Sequence, residues 1–257
     1  MIVDSHAHLD DGRFDDDREL VIEQIKQAGI DRVINIGSNM KSSLASLHLS
    51  MQYDFIYAAV GIHPHDASTY SDENENRLIE LLANEKVVAV GEIGLDYHYD
   101  FSPRDMQMEA FIRQIKLSNQ LKLPMIIHDR EAHKPVLDTL TRYKDSLTKG
   151  VFHSYSGSKE MIPQVLGLNF YLSFNGITTF KNAKNVHEAV RHTPLDRLLI
   201  ETDSPYLTPA PNRGKRNDSR NVIYVAKAIA EIKEITVEEV FEASWKNTND
   251  LFSLPVF

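Results

Sequence analysis

Cysteine is absent from the 257 residues. No disulfide, zinc–thiolate site or thiol nucleophile can form, so any transition metal must be held by nitrogen and oxygen ligands. Long hydrophobic runs are missing too. No stretch approaches the roughly 18 uninterrupted apolar residues of a membrane span, and Met1-Ile2-Val3-Asp4-Ser5-His6 lacks the basic flank and apolar core of a secretory signal. A cytoplasmic location with no membrane partner is the expectation. Positive charge is in short supply: 28 Lys and Arg stand against 37 Asp and Glu, a formal net charge of -9. That argues against loose, whole-surface attraction to nucleic acid but leaves room for a locally basic site. Pro/Gly/Ser-rich linkers, fixed-period repeats and low-complexity tracts are also absent, which predicts one domain over residues 1–257. A hydrophobic share of 42% is ordinary for a chain that buries a sizeable core.

What is present is an alternation. Short β-rich runs occur at Ile2-Val3, Arg32–Gly37, Ile56–Gly61, Val87–Gly91, Pro124–Ile127, Gly150–Phe152, Phe170–Phe174 and Leu198–Ile200. Between them, Asp16–Ala28, Arg104–Gln120 and Ala132–Tyr143 carry apolar residues at i, i+3 and i+4 and are long enough for crossover helices between parallel strands. Asp15-Asp16-Asp17 reads as a helix N-terminus, and Thr236–Phe252 as an added C-terminal helix in which Trp245 and Phe252 pack on the barrel exterior or close its bottom. Eight such units form either a closed barrel or a doubly wound open sheet.

The positions of the polar residues favour the barrel. His6 and His8 follow the first strand at i and i+2, which points both imidazoles to one side of an extended backbone. Other strand runs end in His63, Glu92, His128, His153 and Asp203. In a (β/α)₈ TIM barrel the C-terminal strand ends surround one mouth, so these residues converge. Four histidines (6, 8, 128, 153) and two carboxylates (92, 203), with no matching cluster of Lys or Arg, would be costly to crowd together unless cations coordinated them. Histidine with carboxylate suits Zn²⁺ or Mn²⁺, while Mg²⁺ prefers fewer nitrogens. Six protein ligands exceed the needs of one catalytic metal and suit two ions with a carboxylate bridge.

Asp4-Ser5-His6-Ala7-His8-Leu9, Gly61-Ile62-His63-Pro64-His65, Gly91-Glu92-Ile93-Gly94-Leu95-Asp96 and Glu201-Thr202-Asp203-Ser204-Pro205-Tyr206 together closely resemble the TatD family of metal-dependent hydrolases. The likeness extends to Pro124–His128, Phe152–Gly157 and Pro211-Asn212-Arg213-Gly214, in the family's order and spacing. It implies a single metallo-dependent hydrolase barrel and a divalent-metal-dependent deoxyribonuclease, described as exonucleolytic for the family. By the same resemblance His6, His8 and Asp203 hold one metal (Zn, Mn or Mg), His128 and His153 the other, and Glu92 bridges both. Ser154-Tyr155 stands where many relatives have Cys-Phe, and the loop after Glu92 carries an extra histidine, His98. Glu92 at the fourth strand end, where related amidohydrolases often carry a carbamylated lysine, weakens a cyclic-amide hydrolase reading.

The expected reaction is in-line attack on a DNA phosphodiester by a metal-bound hydroxide, with Asp203 taking up the proton and Glu92 holding the ions. Hydrolysis of another ester or amide is the alternative, and no obligate protein partner is implied. Glu201, one face-period before Asp203, is a candidate for orienting a ligand histidine or for a further metal. His63 is expected to contact substrate and His65 to be solvated; Asp96 and Arg130 read equally as mouth-lining or as surface ion pairs. The loop after the last strand is the basic exception: Arg213, Lys215, Arg216 and Arg220 stand against Asp218 alone. Loops there often bind phosphate in barrels, which makes Arg213 a candidate substrate contact.

Overall fold

The computed structural model describes residues 1–255. Its strands are β1 (Val3–Ala7), β2 (Arg32–Ile36), β3 (Ile56–Val60), β4 (Val87–Asp96), β5 (Met125–Arg130), β6 (Gly150–Phe152), β7 (Phe170–Phe174) and β8 (Leu198–Ile200). Each is followed in turn by a helix: α1 (Arg18–Gln27), α2 (Met40–Gln52), α3 (Asp72–Leu82), α4 (Arg104–Leu121), α5 (His133–Arg142), α6 (Ile162–Gly167), α7 (Lys184–His192) and α8 (Val222–Lys233), with α9 (Val237–Phe252) added at the end. The strands are hydrogen-bonded in chain order from β1 to β8, and Ala7 pairs in parallel with Ser204, just beyond β8. The fold is the (β/α)₈ barrel that the polar residues at the strand ends favour over an open sheet. Parallel strands covered on both faces need near-continuous burial. β1, β2, β3, β4 and β7 meet that demand at every position.

Internal packing groups the chain into two compact units. The first comprises Met1–Asn35, Ser154–Ile162 and the residues from Leu172 on. Within it Val3 lies opposite Arg32 in β1 and β2, and Leu172 opposite Leu198 in β7 and β8. Helix α9 starts at a capping box: the Thr236 hydroxyl accepts from the Glu239 amide while Glu239 accepts from the Thr236 amide. Thr236 is thus the cap and not the first helical residue. Trp245 and Phe252 are buried, and the Arg32 guanidinium lies 4.4 Å from the Trp245 ring while donating to Asn249. The expected structural role of this helix is met by packing against β1 and β8.

The second unit comprises Ile36–His153 and Pro163–Tyr171, with β3 through β6 paired in sequence. Here β4 differs from expectation. The apolar run ends at Gly91, but the strand continues to Asp96, with a register shift between Val90 and Ile93 that takes in Glu92. Such irregularities bend a strand and re-aim its side chains. Gly94 then pairs with His128 at φ +144°, and a Cβ there would sit 2.0 Å from the His128 carbonyl oxygen. Only glycine permits that approach.

Candidate active site

In the first unit the donors come from β1 and the segment after β8. β1 carries His6, with His8 just beyond it, and their Nε2 atoms face each other at 3.2 Å. Oδ1 of Asp203 lies 3.7 Å from the first and 3.5 Å from the second. The backbone locks this arrangement: the Asp203 amide donates to the His6 carbonyl, and the His8 amide to the Ser204 carbonyl. Asp203 itself is in the left-handed region at φ +55°, a conformation that aspartate tolerates at a cost of roughly 1–2 kcal/mol. Asp4 supports the turn from below. It is buried, and accepts from the Thr202 amide at 2.9 Å and the Thr202 hydroxyl at 2.6 Å. Burial pushes its carboxyl up to about 7, against the opposing pull of hydrogen bonds from Ser219 and Thr202.

Glu201 was expected to share an inward strand face with Asp203. β8 ends at Ile200, so strand periodicity does not extend to either carboxylate. Glu201 is fully buried, and its Oε1 accepts from the Ser154 amide at 2.7 Å. The four basic side chains of the following loop divide. Arg216 forms a two-point pair with Asp17, at 2.8 and 2.6 Å, and donates to the Arg13 carbonyl; Arg220 is bonded to Asp218 and Gln24. Arg213 is exposed, with its guanidinium 4.7 Å from the Phe180 ring, and Lys215 is exposed beside it. Buried Asn217, which sequence reasoning passed over, pins the loop by donating to the Thr202 and Tyr206 carbonyls.

The second unit gathers its donors around Glu92. Oε1 of this carboxylate lies 2.7 Å from Nδ1 of His128, 2.7 Å from Nε2 of His153 and 3.5 Å from Nε2 of His63. Burial raises the Glu92 pKa, but the charges of His153 and His63 and hydrogen bonds from His128 and His153 outweigh it and hold the group well below the ordinary carboxylate range. On its other edge His128 meets Asp96, Nε2 to Oδ2, at 3.0 Å. Burial disfavours the His128 cation, yet the bonds to Asp96 and Glu92 prevail and raise its pKa. His63 accepts the His65 amide hydrogen at Nδ1, which leaves the proton of its neutral ring on Nε2. Burial, and then the neighbouring His128, push its pKa down to about 3, so the ring is neutral.

Asp96 is buried and organises more than its sequence position discloses. Its Oδ2 accepts from His65 as well as His128, and its Oδ1 from the amides of His98 and Tyr99. The surface ion-pair alternative for Asp96 is thereby excluded, and His65 is a half-buried side chain hydrogen-bonded to it. His98 points elsewhere, with Nδ1 2.7 Å from Glu131 on the surface. Arg130 lies with its guanidinium 5.0 Å from the Tyr99 ring.

Two groups of ligand-type side chains, His6–His8–Asp203 and His63–Glu92–His128, have donor atoms within 4.8 Å of one another; in the second, His63 keeps its proton on Nε2, the nitrogen that faces Glu92, so Glu92 and His128 are the members open to a metal ion. The fit is chemical. In the first, two imidazole nitrogens and a carboxylate oxygen lie within 3.7 Å of one another; in the second, Asp96 accepts a hydrogen bond from Nε2–H of His128, which in the neutral ring leaves Nδ1 free to ligate, the usual way a carboxylate orients a histidine ligand. A barrel with such donors at its strand ends belongs to the class of metal-dependent hydrolases. The chain belongs to the family described as TatD related DNase, whose model matches residues 3–253. It is 46% identical over 254 residues, 99% of this chain and 100% of the relative, to "Uncharacterized metal-dependent hydrolase YabD" of Bacillus subtilis (strain 168). It is 32% identical, over 98% of this chain and 100% of the relative, to "3'-5' ssDNA/RNA exonuclease TatD" of Edwardsiella piscicida. Among solved structures, the TatD homologue YJJV of Escherichia coli k12 superposes with a TM-score of 0.92 at 30% identity, covering 99% of this chain and 98% of that one.

Proposed function

We propose that this protein is a divalent-metal-dependent deoxyribonuclease that cleaves DNA phosphodiesters exonucleolytically. The observation that carries the reading is the pair of donor groups, one of two histidines with Asp203, the other of histidines around Glu92, in a chain whose relatives include a named single-strand exonuclease. His6, His8 and Asp203 would hold one ion, and His128 and His153 with Glu92 the other. Bound divalent ions would supply a lowered pKa for water and charge compensation for the phosphoryl group.

The remaining work falls to the chain's own groups. Asp203, with Oδ1 turned toward His6 and His8, takes up the proton of the attacking water. His63 presents an Nε2–H toward the Glu92 side of the site, where it can donate to a phosphate oxygen. Asp96 holds the His128 proton at Nε2. Arg213, exposed and unlike Arg216 not engaged with Asp17, contacts a substrate phosphate.

The test is a metal-by-substrate matrix on the purified protein, with single-stranded DNA, duplex DNA, RNA and a small neutral ester, alongside metal counting on Glu92→Gln and Asp203→Asn. Mononucleotide release from DNA, lost on chelation and restored by a divalent metal, is expected. Asp203→Asn, which keeps a neutral amide oxygen in place of the carboxylate ligand, should hold its ion more weakly and, at saturating metal, lose at least about a hundredfold in turnover, the usual scale of acid–base catalysis, whereas Glu92→Gln should lose metal. Robust turnover of the ester with none of DNA would replace the nuclease reading with hydrolysis of another ester.

A further inference from the structure

The loop Tyr97–Pro103 carries two large aromatic side chains to the surface: Tyr99 is 47% and Phe101 68% exposed. Their rings are stacked, with centroids 5.3 Å apart and planes 23° from parallel. Exposure of two adjacent apolar rings is unfavourable in a free loop, and a flexible loop would bury them. This loop is not free to do so. Asp96 accepts the Tyr99 amide hydrogen, the Ser102 hydroxyl donates to the His65 carbonyl and accepts from the Ser68 amide, and Gln107 donates to the Ser102 carbonyl. Asp100 is clamped by Arg104 through two bonds of 2.9 and 2.6 Å.

The inner edge of this pair rests on the site. The His65 ring packs edge-on against Phe101 at 4.7 Å and Tyr99 at 5.5 Å, and its Nε2 shares Asp96 Oδ2 with His128. Arg130 adds a cation on Tyr99. A hydrogen-bonded loop that presents outward-facing aromatic rings beside the Glu92–His128 centre, flanked by a cation, matches the surfaces on which single-strand binding proteins stack bases without reading sequence.

We propose that Tyr99 and Phe101 form a stacking platform for a nucleobase of a single-stranded substrate, setting its position relative to the Glu92–His128 centre. The inference rests on the nuclease reading and deepens it, since a duplex would have to unpair to place a base there. Stacking of one base is worth about 1–3 kcal/mol, or roughly 5- to 150-fold.

The test compares the metal-loaded wild type with Phe101→Leu, Phe101→Tyr and the double variant Tyr99→Leu/Phe101→Leu. The substrates are a single-stranded oligodeoxynucleotide and an abasic tetrahydrofuran oligomer of equal length. The wild type should prefer the base-bearing strand in KM by at least about fivefold; the leucine variants should lose that preference and the tyrosine variant keep it. A double variant that retains the wild-type KM ratio ends the inference. Should the wild type cleave neither strand, the nuclease reading fails by itself. The platform is then judged by fluorescence of a 2-aminopurine oligonucleotide, quenched by the wild type and not by the double variant if it exists, and equally quenched or unquenched by both if it does not.

Discussion

Oδ2 of Asp96 lies 3.0 Å from Nε2 of His128, on the edge of the ring opposite the nitrogen that faces Glu92 at 2.7 Å. The two carboxylates divide one imidazole between them, and only one can be its partner once a cation takes the other nitrogen. Asp96 is buried and also collects His65 and two loop amides, so it is the fixed member. Asp96→Asn should therefore weaken metal binding about 10- to 100-fold, the range found when a carboxylate behind a histidine ligand is removed. Metal-binding isotherms check this. Wild-type affinity in the variant would show that His128 does not depend on Asp96.

Gly94→Ala places a methyl group against the His128 carbonyl and forces a side chain into φ +144°. Backbone on both sides leaves no flexible end to yield. Overpacking costs about 1–3 kcal/mol and the backbone conformation a similar amount, giving an expected loss of about 2–6 kcal/mol. A urea midpoint equal to the wild type would contradict the close approach of β4 and β5.

Arg213 and Arg216 should behave differently, although sequence alone treats them as equivalent cations. Arg216 is committed to Asp17, whose carboxyl its hydrogen bonds hold below the ordinary value. Arg213→Ala should reduce the log–log salt slope of KM for DNA by about one. Arg216→Ala should leave that slope near the wild-type value. Equal slopes in wild type and Arg213→Ala would remove Arg213 from the substrate contacts.

A pH effect on stability follows from His133, whose Nδ1 lies 2.7 Å from Oδ2 of Asp129. That hydrogen bond raises its pKa above 6.5 against a smaller opposing effect of burial. A raised histidine pKa stabilises the fold fully below the unfolded value, and the contribution disappears as pH rises through the folded one. Unfolding free energy measured between pH 6 and 9 should fall more steeply for the wild type than for His133→Gln, and parallel curves would refute the linkage.

Much of this architecture is legible in the sequence because period and spacing are local properties. The eight strand runs, the pairing of His6 with His8 and the placement of Glu92 and His128 beside one another follow from alternation and from the convergence of strand ends in a barrel. What period cannot carry is backbone irregularity and long-range hydrogen bonding. The continuation of β4 through the register shift at Glu92, the end of β8 before Glu201 and the left-handed turn at Asp203 are settled by contacts between distant segments, such as the Asp203 amide on the His6 carbonyl. Charge has the same property. Arg216 differs from Arg213 only because Asp17, 199 positions away in the chain, lies within hydrogen-bond reach, and Asp96 becomes the hinge of the site only because folding buries it and brings His65, His128 and its own loop to one carboxylate.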